Sequence, residues 1–333
     1  MTVPSPLFDE LLKLDHPDEG QEIQIGHRIY AYHDGILRSK SMYSDDQTQT
    51  FSTYGYHWAR VDHDSASETF QKQWVEEVFP GYQVFLRDWL VPGTFVLDAG
   101  CGAGHSAIAF FGDTLDSLKY IGVDGSRAIE QARDNFRSRK LEGEFLQEDL
   151  TQLPFPDGSF GMVFAPGVLH HTDNISTSVK TLARLLVSGG KFLSWVYKKQ
   201  PPIREFCDRH VRQYLAPMND DEAYSALVSL TKFGDSLGKK KIDINIPEDI
   251  PYLGIKAGTI DLQRFFYYFI FKTFYNETLG FERAVRQNFD WYRPSNAHTF
   301  SEKEAASIFQ DAGLVVESKL TSMSGISIIA TKP

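Results

Sequence analysis

Cysteine is scarce in this sequence: among its 333 residues only Cys101 and Cys207 carry a thiol. Two cysteines cannot build a disulfide scaffold, and neither stands in the CxxC spacing of a zinc site. The expectation is a chain with no bound metal in a reducing, cytoplasmic compartment. Long apolar runs are also missing. No stretch approaches the roughly 18 apolar residues that a membrane helix needs. The opening MTVPSPLFDELLKLDH has no basic segment leading into an apolar one, so no secretory signal is expected. Positive charge is in deficit as well, with 34 Lys and Arg against 44 Asp and Glu, a net charge of -10. A protein that grips phosphate backbones needs a basic face. The one compact basic run, Lys239-Lys240-Lys241, has the composition of a solvated loop. Nucleic acid is therefore not the expected partner; a small molecule is, with a homo-oligomer left open.

What the chain does contain is alternation. Short apolar runs at 94–97, 120–123, 145–146, 162–164 and 191–196 have the length of buried parallel strands. Helix-like stretches at 105–111, 126–137 and 176–186 lie between them. That rhythm predicts an α/β fold with a Rossmann-like, doubly wound sheet. In front lie a candidate hairpin (23–25 with 28–32, closed by Gly26-His27), the aromatic run FSTYGYHWA at 51–59, and a helix at 67–79. The aromatic run has neither a strand nor a helix period.

After Tyr197 the rhythm stops for roughly a hundred residues. Gln200-Pro201-Pro202 breaks the chain, helices are expected at 203–214 and 220–237, and DLQRFFYYFIFKTFY at 261–275 reads as one buried helix. Ser301, with Glu304 three residues on, caps a helix over 301–312. Runs at 314–320 and 325–330 close the sheet as its sixth and seventh strands. The expected division is a hairpin-containing extension (1–50), an aromatic lid and helix (51–80), the core (81–197), a helical acceptor-binding cap (198–299) and a return to the core (300–333).

The sharpest chemical signal is TFVLDAGCGAGHS at 94–106, where a strand ends in Asp98 and runs through Gly100, Gly102 and Gly104 into a helix. Glycines there allow a tight turn and close approach of a ligand. A dinucleotide loop uses the same plan, but its glycines are spaced GxGxxG, whereas here His105 takes the sixth place. A carboxylate two residues before the first glycine would repel a pyrophosphate, whereas S-adenosylmethionine (SAM) brings a sulfonium and an ammonium group. A second strand, YIGVD, ends in Asp124, placed to accept from two ribose hydroxyls. A third ends in FLQEDL, where Asp149 can accept from an adenine amino group beside the Leu150 N–H. Asp149 alone is equally well a turn cap. Three carboxylates at three successive strand ends are hard to attribute to capping.

VLDAGCGAG, IGVDGS, QEDLTQLPFPDGSF, GVLHHT and LARLLVSGGKFLSWVY resemble, in that order, the motifs of class I SAM-dependent methyltransferases. The subgroup they are most similar to is the ubiquinone/menaquinone-biosynthesis type. The resemblance covers about residues 90–200. It implies a seven-stranded sheet, with SAM as methyl donor and S-adenosylhomocysteine as product. It also implies that Asp98, Gly100, Cys101, Gly102 and Ala165 line the methionine part. Asp124, with Gly125 and Ser126 of the same motif, would hold the ribose, and Asp149 and Leu150 the adenine. The front of the chain is similar to a zinc-ribbon-like module that precedes some of these enzymes. Tyr30, Asp34, Gly35 and Ile36 echo its ending, but the paired cysteines are absent. His16, His27 and His33 read as scattered surface histidines.

On the acceptor side, His170 and His171 follow the fourth strand, and either imidazole is a candidate base; ordering the loop is the competing role. Tyr54, Tyr56 and Trp58 are candidates for a lid over the cofactor, and Tyr197, Asp290 and Tyr292 for the acceptor pocket. The expected function is methyl transfer to an O, N or C atom of a small molecule. The alternatives are a non-catalytic SAM-fold binding or partner protein and a SAM-fold enzyme that moves another group.

Overall fold

The computed structural model describes residues 7–13, 17–60 and 65–333. Along the chain come α1 (Leu7–Leu12), β1 (Glu22–Ile25), β2 (Arg28–His33), β3 (Ile36–Ser39), α2 (Asp45–Trp58), α3 (Ser65–Val78) and α4 (Tyr82–Trp89). The alternating region supplies β4 (Phe95–Ala99), α5 (His105–Phe111), β5 (Lys119–Val123), α6 (Ala128–Ser138), β6 (Glu144–Gln147), β7 (Phe160–Pro166), α7 (Ile175–Leu185) and β8 (Leu186–Tyr197). The insert holds α8 (Pro202–Leu215), α9 (Asp220–Lys240), β9 (Asp243–Ile246), β10 (Gly258–Asp261), α10 (Leu262–Phe265) and α11 (Gly280–Tyr292). The chain then closes with α12 (Glu302–Asp311), β11 (Val315–Thr321) and β12 (Gly325–Thr331).

The main sheet runs β1-β2-β3-β6-β5-β4-β7-β8-β12-β11. From β6 to β8 the strands are parallel, and β12 and β11 close the edge antiparallel. Their apolar faces are buried on both sides: Leu97, Val163 and Phe192 pack in one core layer, Val96, Met162 and Leu193 in the other. The chain leaves β4 toward β5 and β6, then returns to the opposite side of β4 as β7. This reversal opens a crevice at the carboxyl ends of β4 and β7, where open α/β sheets bind ligands.

The seven strands β4–β8, β11 and β12 are those the sequence predicts, and three more, β1–β3, extend the sheet beyond β6. The hairpin pairs Glu22 with Ala31 through Ile25 with Arg28, as its turn residues predict. Beyond it, β3 lies parallel to β6, with Ile36 opposite Phe145. The exposed edge of β6 would otherwise offer unpaired backbone groups. Ten strands therefore form one sheet, and Tyr30 is sealed inside it, its hydroxyl donating to Glu148 at 3.0 Å.

Two local expectations change. The aromatic run at 51–59 lies in a helix, α2, capped by Ser44, whose hydroxyl accepts from the Gln47 N–H at 3.0 Å. The 261–275 stretch is not one helix. It makes a single α turn capped by Asp261, a π turn over Phe266–Ile270, and then irregular chain. Tertiary hydrogen bonds explain the break. Gln263 Nε2 donates to the Thr273 carbonyl (2.6 Å), Thr273 Oγ1 donates to the Leu230 carbonyl (2.9 Å), and Arg204 takes the Tyr267 carbonyl. The Ser301–Glu304 capping box forms at the head of α12. Among the described residues no helix is long and apolar enough to cross a membrane, and no group of three or more His, Cys, Asp or Glu could hold a metal. His16 lies outside the described residues.

Candidate active site

The carboxyl ends of β4 to β7 open into a cavity of about 590 Å³ roofed by α2 and the insert. Beyond β4 the chain turns through Gly100 (φ 77°) and Gly102 (φ 52°), a left-handed region that favours glycine. Space demands glycine too. A Cβ on Gly100 would overlap Val168, and one on Gly102 would stand 2.9 Å from Trp58 Nε1. The turn is tied to the next strand: the N–H groups of Gly100 and Cys101 donate to the Val123 carbonyl (2.7 and 2.9 Å). Gly102 N–H donates to Asp124 Oδ2 at 2.9 Å. Gly100, Cys101, Gly102, Asp124 and Gly125 all line the cavity.

Ser126 is 1% exposed and does not line the wall. It braces Asp124 from behind, donating to Oδ1 through both its N–H (2.8 Å) and its hydroxyl (2.6 Å). Burial raises the Asp124 pKa, and these donors pull it back. Asp98 is likewise one layer behind. Strand alternation turns it to the side of Tyr120, whose hydroxyl donates to it at 2.6 Å, and burial pushes its carboxyl up to about 7. Ala165 is sealed in the core, and the wall begins one residue later at Pro166, Gly167 and Val168. Asp98, Ser126 and Ala165 therefore shape the site without facing it.

Asp149 and Leu150 do line the cavity. Asp149 caps and faces the cavity at once: Oδ1 accepts from the Thr151 N–H (2.7 Å) and hydroxyl, while Oδ2 has no donor among the described residues. Glu148 beside it, which sequence reasoning passed over, joins the wall while holding Tyr30 and Tyr43.

α2 turns Gln47, Thr50, Phe51, Tyr54, His57 and Trp58 toward the cavity, a helical spacing along one face. Tyr56 falls on the other face, donating to Asp221 at 2.6 Å near solvent, so its expected place in the pocket is not met. Tyr292 is buried behind the wall, its hydroxyl donating to Asp208 (2.8 Å) and to the Lys272 carbonyl (2.9 Å), so it too stays outside. Asp290 and Trp291 reach the cavity instead, with Trp195 and Tyr197 from the end of β8.

The two histidines divide. His170 is fully buried and off the wall, its ring 3.7 Å from that of Tyr197 and both nitrogens without partners. Burial drives its pKa well below the ordinary value, so it packs as a neutral aromatic ring rather than facing a ligand. His171 lines the cavity. Its Nδ1 lies 2.6 Å from the Asn296 carbonyl and its Nε2 lies 2.7 Å from the Tyr54 hydroxyl. A carbonyl only accepts, so Nδ1 carries the proton and bare Nε2 accepts from Tyr54. Burial lowers the His171 pKa to about 4.

The insert adds residues that no motif marked: Arg204, Arg264, Tyr267, Tyr268, Lys272 and Phe274. For all of these but Arg204 the sequence signal is the aromatic density of 261–275, where the interleaved Arg264 and Lys272 interrupt an apolar run; Arg204 carries none.

Residues 97–194 match the family described as "Methyltransferase domain". The uncharacterized methyltransferase YcgJ of Bacillus subtilis is 31% identical over 131 residues, which is 38% of this chain and 51% of that protein. Phosphoethanolamine N-methyltransferase 1 of Arabidopsis thaliana is 27% identical, over 46% of this chain and 31% of its own. The chain thus spans between about a third and a half of the length of these two relatives. Among solved structures, magnesium protoporphyrin IX methyltransferase (ChlM) from Synechocystis PCC 6803 with bound SAM aligns at 14% identity, over 88% of this chain and 100% of that one, with a TM-score of 0.48. The Asp149 oxygen that has no donor among the described residues fits a nucleoside-bearing ligand at these strand ends. Residues 97–194, within the doubly wound sheet that builds this cavity, thus carry the match to a methyltransferase domain.

Proposed function

We propose that the protein moves the methyl group of SAM onto an O, N or C atom of a small-molecule acceptor, leaving S-adenosylhomocysteine. The carrying observation is that one continuous cavity joins the strand-end groups to the aromatic wall of the insert. SAM supplies a methyl carbon made electrophilic by the adjacent sulfonium. Asp124 would accept from the ribose hydroxyls, and Asp149 Oδ2 with the Leu150 N–H would read the adenine edge. Trp195, Tyr197 and Trp291 keep water from the reacting atoms, so alignment provides most of the acceleration.

An acceptor that loses a proton needs a group to take it. Tyr54 and His171 form that route: the acceptor proton passes to the Tyr54 oxygen while Tyr54 hands its own to His171 Nε2. The His171 imidazole would then carry the positive charge that the donor gives up on methyl transfer, leaving the site's total charge unchanged. The two free thiols, Cys101 and Cys207, suit a reducing compartment such as the cytoplasm.

Calorimetry with S-adenosylhomocysteine and with NAD tests the reading. S-adenosylhomocysteine should bind in preference, and Asp124→Ala should cost about 1.5–3 kcal/mol of that binding, the scale of hydrogen bonds to a charged group. Tighter NAD binding in the wild type, or unchanged affinity in the variant, would overturn it.

A further inference from the structure

The insert half of the cavity contains a buried lysine that has no carboxylate in ion-pair contact among the described residues. Lys272 is 7% exposed, lines the cavity and rests its ammonium 4.3 Å above the Trp291 ring. Among the described residues no carboxylate comes within ion-pair distance of it. The nearby Asp208 is fully engaged: it accepts from Arg204 Nε (2.6 Å), Trp291 Nε1 (2.8 Å), the Tyr292 hydroxyl (2.8 Å) and the Lys272 backbone N–H (3.4 Å). Asp208 thereby pairs with Arg204 and acts on the Lys272 ammonium only through space. Asp290 also acts on Lys272 through space and favours its charged form, without an ion-pair contact among the described residues. Arg264 also faces the cavity, its Nη2 donating, among the described residues, only to the Tyr275 carbonyl at 3.3 Å.

Burying an ammonium without a counter-charge is expensive, and proteins pair such charges or let them lose the proton. Burial indeed lowers Lys272 to about 7, with Asp290 and Asp208 opposing the fall and Arg204 and Arg212 adding to it. A charge left open on the wall of a cavity is a place for a ligand's charge. The walls beside it are aromatic: Tyr267 and Tyr268 meet edge to face at 5.0 Å, with Phe274 and Trp291 adjoining.

We propose that Lys272, seconded by Arg264, is an anion-binding subsite that selects acceptors with an apolar or aromatic body and one carboxylate or phosphate group. The inference deepens the methyl-transfer reading and rests on it, since it takes the insert half of the cavity as the acceptor's seat. Lys272 acts by binding, and no covalent step is assigned to it.

The test uses the full chain saturated with S-adenosylhomocysteine and three probes of similar shape: 4-hydroxybenzoate, phenyl phosphate and 4-hydroxybenzamide. Calorimetry should find at least one anion binding about tenfold or more tighter than the neutral amide, the scale of a charge-assisted hydrogen bond. Which anion wins separates a carboxylate acceptor from a phosphate one. Lys272→Met should erase the preference and Lys272→Arg should largely keep it, with S-adenosylhomocysteine affinity unchanged in both. Equal binding of all three probes by the wild type, binding of none of them, or a preference that survives Lys272→Met overturns the subsite. Failure of the wild type to bind S-adenosylhomocysteine overturns the functional reading instead, so the two failures are distinguishable.

Discussion

The Tyr54 hydroxyl donates to Nε2 of His171 at 2.7 Å across the cavity wall. The bond joins α2, from the region before the core, to the loop after β7, from within it. The Asn296 carbonyl fixes the tautomer from the far side. If proton removal goes through this pair, Tyr54→Phe should lower turnover about a hundredfold or more at unchanged S-adenosylhomocysteine affinity. His171→Ala should do the same, and the double variant should be little worse than either single one, because the two act as a unit. Wild-type turnover in Tyr54→Phe would leave alignment as the whole mechanism.

The same pair predicts acid sensitivity. His171 is held down to about 4 in the folded protein, against an ordinary value of 6.5. Between those values the unfolded chain binds more protons, so stability from this group falls as pH drops from 6.5 toward 4. Turnover should stay flat with respect to His171 from pH 6 to 8. Thermal melts of wild type and His171→Gln at pH 5 and 7 read the effect; an identical difference at both values would refute it.

Asp98 has the opposite sign. Burial raises it to about 7 from 3.8, so the folded protein keeps a proton that the unfolded chain has lost, and stability from this group falls as pH rises through that window. A bound cation nearby favours the charged carboxylate and expels the proton. SAM affinity should therefore strengthen as pH rises from 6 to 8, with proton release visible as a dependence on buffer ionisation enthalpy. Asp98→Asn should flatten the profile. A profile as steep in Asp98→Asn as in the wild type would rule Asp98 out as the source.

Legibility in the sequence followed the strength of each local signal. Glycines and strand-end acids leave compact motifs because backbone geometry demands them at short range, and Gly100, Gly102, Asp124 and Asp149, which line the cavity, stand in such motifs. Side-chain direction was harder. Asp98, Ser126 and Ala165 stand beside the wall rather than on it, because pleat and turn geometry aim them at Tyr120, at Asp124 and into the core. The α2 face was hidden because its period is carried by Gln47, Thr50, Tyr54 and His57 as much as by apolar residues. Lys272 was invisible because only long-range hydrogen bonds from Arg204, Gln263 and Thr273 break the 261–275 segment and turn it inward.

Gly125 tests how closely α2 is fitted over the cofactor half. A Cβ there would overlap the Phe51 ring, although the backbone itself needs no left-handed turn. Gly125→Ala should therefore act through overpacking, costing about 1–3 kcal/mol and weakening S-adenosylhomocysteine binding. Adding Phe51→Ala should restore much of that affinity by removing the clash. A double variant as weak as Gly125→Ala alone would mean that the damage lies in the turn itself.

Lys272 supplies a stability test that needs no ligand. Its ammonium titrates near 7 in the folded protein and at the ordinary 10.5 when unfolded. Between these values the unfolded chain binds more protons, so the wild type should gain stability as pH rises through the window. Below 7 both states are charged and the folded state bears the full burial cost. Lys272→Met keeps a similar stem against Trp291 and removes that cost, at the loss of a cation–π contact worth about 0.5–2 kcal/mol. A fall from 10.5 to about 7 outweighs that loss, since each pKa unit is about 1.4 kcal/mol. The variant should accordingly be the more stable protein at pH 6.5, and its advantage should vanish by pH 10. Denaturant midpoints at the two pH values decide it. A destabilised variant at pH 6.5 would mean that the ammonium is neutralised within the folded chain, and the anion subsite would lose its physical basis.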